Sequence, residues 1–151
     1  MYAMDTMRME KGYLHWGHDI TPEENQYEAG LRFAISYKKN VDFIGKEALL
    51  KIKEQKPKKK LVILSLKDNK PGFPLLLHDE PILYDDTIVG RTTSGNFSFN
   101  FNKNLVFGYV SINKSEDLKG NKFEIEIEKN RYKASIEHQP LFDPKNSYLK
   151  S

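Results

Sequence analysis

Cysteine is absent from this 151-residue chain. Disulfides and thiolate metal sites are thereby excluded, and a reducing compartment is allowed without being demanded. No run of 18 apolar residues occurs, so no segment has the character of a membrane-spanning helix. The first residues carry no apolar run of signal-peptide type. These absences predict a soluble, cytoplasmic protein with no membrane partner. An excess of one charge is missing too. Lys+Arg 24 against Asp+Glu 21 leaves a net charge of +3, which suits an anionic small ligand without requiring one. The one basic run, Lys56 to Lys60, is interrupted by Pro57 and has no flanking aromatics. A solvated linker explains it better than a nucleic-acid footprint.

What is present is ample for a core. Hydrophobic residues make up 38% and charged residues 30%, a little polar but far from the composition of a disordered chain. Nine Phe and eight Tyr supply large apolar side chains. The length allows one ordinary domain, or a small domain plus a piece of another.

Met1 to Glu10 reads as a short helix with Met4 and Met7 on one face and Asp5 and Arg8 paired at i,i+3. No capping residue precedes it, so the sequence starts inside a pattern. Gly12 ends the helix, and Tyr13 to Asn25 is loop-like. Leu31 to Tyr37 is a candidate strand. Asp42 is a candidate N-cap for a helix from Phe43 to about Glu54, striped by Ile44, Ala48, Leu49 and Ile52. The polar segment Gln55 to Lys60 divides the chain into residues 1–55 and 56–151. Beyond it the pattern is β. Strands are expected at Leu61–Leu66, in a hairpin Pro81–Tyr84 and Thr87–Thr93 around Asp85-Asp86, and at Leu105–Ile112. Phe123–Glu128 alternates strictly, and Asn130 starts the turn into Tyr132–Glu137. Short strands at this spacing suggest a small closed barrel or a sandwich. The expected fold class is α+β, mostly β.

Four constellations could carry chemistry. His15-Trp16-Gly17-His18-Asp19 could bind a metal, but no third imidazole is near in sequence, and a loop packing Trp16 against a core or a ligand ring fits better. No metal is expected. Arg8 with Glu10 could hold a carboxylate bidentately; the plainer reading is two charges on a helix surface that matter little to stability. Thr92-Thr93-Ser94-Gly95-Asn96 could cradle an anion or be a turn that satisfies its own backbone. Tyr132, Tyr148 and the tail from Pro140 could touch a ligand or wander over the surface. His78 and His138 sit in or beside strands and read as structural. No catalytic residue can be assigned from order alone.

Together these fragments resemble a known family. Met7-Arg8-Met9-Glu10, Gly12, Trp16-Gly17, Asp19-Ile20 and Glu28-Ala29-Gly30-Leu31 are similar to the end of the folate-binding domain of the glycine-cleavage T-protein (aminomethyltransferase) superfamily, and Asp42 to Leu49 matches the helix start that follows. The similarity is closer to the transferase domains fused to dimethylglycine and sarcosine dehydrogenases. Pro81 to Val110 resembles the hairpin and strand of that family's C-terminal barrel. Two departures stand out. Phe97 to Phe101 and Asn102-Lys103 replace small residues and a Gly-Lys, and Pro22 lies five residues before Tyr27-Glu28.

The resemblance implies the end of a folate-binding domain (1–55) followed by a small antiparallel β-barrel (56–151). It implies transfer of an amine-bound one-carbon unit to N5 of tetrahydrofolate. It assigns folate contacts to Arg8 and, in the tail, Tyr148 or its neighbour Ser147, with Trp16 as a further cofactor-binding candidate. In the family, the catalytic Asp and much of the pterin pocket come from an N-terminal part that this sequence does not contain. A protein partner supplying that part, or self-association through the Met4 and Met7 face, is therefore expected. The alternatives are a non-catalytic β-barrel interaction module and, more weakly, an RNA-binding barrel.

Overall fold

The structure is a computed structural model that describes residues 2–39, 41–67, 70–111 and 122–151. Six antiparallel strands close into a barrel. They are β1 (Lys59–Leu66), β2 (Pro81–Tyr84), β3 (Thr87–Ser98), β4 (Lys103–Ser111), β5 (Phe123–Ile127) and β6 (Asn130–Glu137). Their order around the barrel is β1-β4-β3-β2-β5-β6, and β6 pairs back onto β1 with Leu64 opposite Ile136. Closure leaves no free sheet edge, which removes the usual route to edge-to-edge aggregation.

Period-2 patterning builds the interior. In β5, Phe123, Ile125 and Ile127 point inward while Glu124 and Glu126 face out. Val62, Leu64 and Leu66 of β1 and Ile82 of β2 meet them in the core. Two hairpins turn through αL residues, Asp85-Asp86 and Glu128-Lys129, the geometry whose twist matches paired strands. The first is the turn expected from sequence. The second lies before Asn130, which already belongs to β6.

β4 differs from its neighbours, because Asn104 to Val110 are all buried. Val106 and Val110 face the barrel core, whereas Leu105 and Phe107 face outward against Met9, Leu14 and Leu141. The outer cover is α1 (Tyr2–Lys11) with the loop after it and the C-terminal tail. Gly12, at φ 75°, ends α1. A Cβ there would lie 2.5 Å from Pro140 Cγ, so the tail packs where only glycine fits.

Three local expectations are corrected. Leu31–Tyr37 is not a strand; Arg32–Ala34 form one 3-10 turn, with Phe33 in solvent. Its apolar residues at 33 and 35 mimic period 2 but find no sheet to join. The second helix, α2 (Lys46–Glu54), starts after Gly45 at φ 88° rather than from a cap at Asp42. Its apolar stripe is only partly covered: Leu49 and Ile52 are half-buried and no α2 residue is buried. The Thr92–Asn96 run is not a turn. It continues β3 to Ser98, with a bulge between Thr92 and Ser94. Ile112, the expected end of the fourth strand, lies outside the described residues. Among the described residues no helix is long and apolar enough to cross a membrane. A short helix, α3 (Ser147–Lys150), closes the tail.

Core and surface should separate cleanly by mutation. Leu64 is fully buried and Ile44 fully exposed. Leu64→Ala should cost about 2–5 kcal/mol in urea unfolding, while Ile44→Ala stays within about 0.5 kcal/mol of wild type. Similar costs for both would mean that the barrel interior is not the core.

Candidate functional site

The N-terminal segment is attached to the barrel by side chains that sequence reading left on a helix surface. Arg8 projects from α1 onto β3 and β4. Its Nε donates to Asp5 (2.9 Å), its Nη1 to Asp19 (2.7 Å) and to the Tyr13 carbonyl (3.4 Å), and its Nη2 to the Ser94 hydroxyl (3.0 Å). The guanidinium lies 6.0 Å from the centroid of the Phe107 ring. Four of its five N–H groups are thus used, which leaves one among the described residues. The Arg8 side chain is 15% exposed, so the helix-surface reading is wrong. Glu10 is buried as well. Its Oε1 accepts the Ser98 hydroxyl (2.6 Å) and its Oε2 the Asn100 amide (2.6 Å).

Asp19 is the counterpart of Arg8, and its side chain is 0% exposed. Besides Arg8, its carboxylate accepts the Thr93 hydroxyl (2.6 Å) and the His15 backbone N–H (2.8 Å). Its backbone carbonyl accepts Tyr109 Oη–H (2.8 Å). Burial pushes the Tyr109 phenol well up, and Glu24, Asp19 and Glu28 add to the rise, so it stays a donor. Asp19 therefore binds helix, loop, β3 and β4 at one point. It stood in the sequence inside a motif weighed for metal. Among the described residues, no three His, Asp or Glu groups are arranged to hold a metal ion. The His15 and His18 rings lie 4.6 Å apart, and His18 and His78 6.5 Å.

Two further ion pairs extend the attachment. Lys59 Nζ reaches Glu24 at 2.5 Å and lies 4.9 Å from the Tyr109 ring centroid. Lys11 Nζ donates to the Asp143 carbonyl (2.6 Å) and carboxylate (2.9 Å), tying the tail over α1.

Arg8 and Tyr148 line one groove of about 530 Å³, together with Met4, Met7, Asn100 and Phe142. Tyr148 is 76% exposed, and its ring stacks on Phe142 with centroids 5.9 Å apart. Trp16 stands outside this groove, 70% exposed on the loop that Asp19 anchors. The structure brings two of the three sequence-derived candidates together and leaves the third apart. Ser98, Asn100 and Tyr109 escaped sequence reading, because each acts through a partner some 88 to 90 positions away, and Ser94, weighed there as part of an anion cradle or a turn, instead pairs with Arg8, 86 positions away.

A closed six-stranded antiparallel barrel with an N-terminal segment clamped to its outer wall defines the class. Residues 59–143 match the family model described as the glycine cleavage T-protein C-terminal barrel domain, and residues 1–39 match that of the GCVT N-terminal domain. The chain belongs to the glycine cleavage T-protein family. It is 39% identical over 142 residues to the mitochondrial dimethylglycine dehydrogenase of Homo sapiens, covering 93% of this chain and 16% of that protein. It is 38% identical over 149 residues to the 4-methylaminobutanoate oxidase (formaldehyde-forming) of Paenarthrobacter nicotinovorans, covering 99% of this chain and 17% of the oxidase. The aminomethyltransferase of Symbiobacterium thermophilum is 37% identical over 143 residues, 93% of this chain and 36% of the enzyme. In fold, the chain superposes on the crystal structure of glycine cleavage system aminomethyltransferase T from Bartonella henselae with a TM-score of 0.79 at 23% identity, covering 94% of this chain and 38% of that one. The chain thus spans about a sixth of the oxidase and dehydrogenase relatives and about a third of the aminomethyltransferases.

Removing one partner of a buried ion pair strands the other charge. Asp19→Asn keeps the shape but loses the charge, and should lower the unfolding free energy by about 3–5 kcal/mol. Glu23→Gln, in the same loop, should leave it unchanged. Equal urea midpoints for wild type and Asp19→Asn would show that the pair carries no stability.

Acid should weaken the attachment. Burial favours the neutral Glu24 carboxyl, but hydrogen bonds from Lys59 and Thr21 outweigh it and hold the group below its ordinary value. A depressed carboxylate contributes stability above its unfolded value of about 4.3, and loses it as pH falls through the lower folded value. Unfolding free energy should therefore drop below about pH 4.3, and the drop should be smaller in Glu24→Gln. An identical acid profile for the variant would remove Glu24 from that linkage.

Proposed function

We propose that this chain serves in tetrahydrofolate-dependent aminomethyl transfer, as the C-terminal portion or split subunit of a glycine-cleavage T-protein or dimethylglycine-dehydrogenase-like enzyme. In this reading residues 1–55 end a folate-binding domain and residues 56–151 form the barrel beside it. The observation that carries it is the joint match of one chain to both T-protein domain families, with relatives named as aminomethyltransferases and dimethylglycine dehydrogenases. The activity resides in the protein that unites this chain with the rest of the folate-binding domain, whose supplier is the expected partner.

The chemistry of the groove suits folate. Folate combines flat rings with a glutamate tail, so it needs stacking surfaces and cations for its carboxylates. Bound there, its N5 would receive the one-carbon unit. Arg8 would use its remaining N–H on an anionic or carbonyl oxygen of the ligand. Asp19, Asp5 and Ser94 hold the guanidinium in one orientation, so little freedom is lost on binding. Tyr148, stacked on Phe142, offers a ring face and a phenol in the same groove. Trp16 would contribute only from the rim.

Arg8→Ala would disturb the fold through Asp19, so Arg8→Lys and Tyr148→Ala are the informative variants. Lysine keeps the charge but not the fork. With the complementing N-terminal part present, titration calorimetry with tetrahydrofolate should show Arg8→Lys binding about tenfold or more weakly, the loss of one charge-assisted contact of about 1.5–3 kcal/mol. Tyr148→Ala should bind more weakly with an unchanged thermal midpoint. Equal affinities for wild type and both variants would take these residues out of the site.

A further inference from the structure

Lys11 sits one turn beyond Arg8 on α1 and, like Arg8, lines the groove that Tyr148 bounds. A cation there could serve a ligand carboxylate, but its ammonium is spent inside the chain. Nζ donates to the Asp143 carbonyl (2.6 Å) and to Asp143 Oδ2 (2.9 Å), and it lies 5.9 Å from the Phe142 ring centroid. The two side chains are 10% and 3% exposed, so this is not a solvent-screened surface pair. The other carboxylate oxygen, Oδ1, accepts the Ser147 N–H (2.6 Å), the first amide of α3, and the Asp143 carbonyl also accepts the Asn146 N–H (3.0 Å). The 143–146 turn is thus built around one residue. Asp143 and Asn146 both hold positive φ, 40° and 56°, conformations that non-glycine residues keep only where their contacts impose them.

The tail needs none of this to stay on the barrel. Up to Phe142 it is held by Leu141 in the cluster with Met9 and Phe107, by Pro140 against Gly12, and by the Phe142 N–H on the Glu10 carbonyl (2.9 Å). Beyond Asp143 the situation changes. No residue of α3 is buried, and the Tyr148 ring is stacked on Phe142 at the surface. We propose that Lys11 and Asp143 are positioning residues for Tyr148: their ion pair latches the 143–146 turn and so sets the Tyr148 ring over the groove. The inference rests on the proposed reading only in its consequence for tetrahydrofolate, since the latch itself is a property of this chain. A ring fixed before the ligand arrives has less freedom to lose on binding than one on a loose tail.

Two measurements test the latch. In the 151-residue chain, nuclear Overhauser contacts between the Phe142 and Tyr148 rings should be present in wild type, absent in Lys11→Met and Asp143→Asn, and retained in Lys11→Arg, which keeps the charge. Asparagine offers one acceptor oxygen where Asp143 uses two. Contacts between Leu141 and Met9 should survive in every variant, which confines the loss to the end of the tail. Stacking that persists in both Lys11→Met and Asp143→Asn would overturn the inference. With the complementing N-terminal part present, Lys11→Met should weaken tetrahydrofolate binding by the same factor as Tyr148→Ala, and the double variant no further, because a residue acting through Tyr148 then has nothing left to position. Additive losses would also overturn the inference, since Lys11 would then act on the ligand itself. Tyr148→Ala binding as tightly as wild type would instead refute the folate contact proposed for Tyr148, and the ring contacts in the chain alone would still decide the latch.

Discussion

The ion pair between Arg8 and Asp19 is the contact on which the rest of the site depends. Two charges removed from water cost more than their attraction returns unless their remaining hydrogen-bonding capacity is filled. Here all but one of the Arg8 N–H groups are used, and the Asp19 carboxylate accepts from three donors. Asp19 takes Arg8, Thr93 and the His15 backbone, and Arg8 takes Asp5, Tyr13 and Ser94 as well. Helix, loop and barrel strand meet at one buried point, so none can shift without breaking the others' bonds. The same contacts hold the guanidinium to one orientation at the edge of the groove.

This attachment explains why β4 is buried on both faces. A barrel strand normally shows one face to water. In β4 the outward Leu105 and Phe107 are covered by Met9, Leu14 and Leu141, so α1 and the tail act as a second layer over the barrel. The barrel thereby becomes a platform. It presents α1 with one face sealed and the Met4 and Met7 face open. A helix held this way suits a chain that completes a larger domain, and its open face lines the groove that Tyr148 bounds.

Strands with strict alternation were legible in the sequence, because period 2 in β5 and the αL-tolerant Asp85-Asp86 turn leave few other structures possible. The 33–35 alternation misled, because two apolar residues say nothing about whether a neighbouring strand exists. The hydroxyl-rich run in β3 also misled. Ser94 and Thr92 look like turn residues, but they are buried in a strand where partners from the covering segment and from Glu80 satisfy them. Gly95 belongs there because a Cβ would lie 2.4 Å from Leu76 Cβ, not because the chain turns. Arg8 and Asp19 were picked out by the resemblance or the motif, yet their pairing was invisible. Nothing local announces a salt bridge across 11 positions, or a hydroxyl partner 86 positions away. Helix α2 shows the converse, since a correct amphipathic pattern there leaves no residue buried.

Amide hydrogen exchange tests most directly whether the N-terminal segment is an integral layer of the barrel. If the Arg8–Asp19 contact clamps it, the amides of Met9 and Glu10 in α1 open only with the barrel and show protection comparable to Val106 and Phe107 in β4. If α1 amides exchange at nearly unprotected rates while β4 remains protected, the helix is an independent arm, and the buried ion pair does not hold the site together.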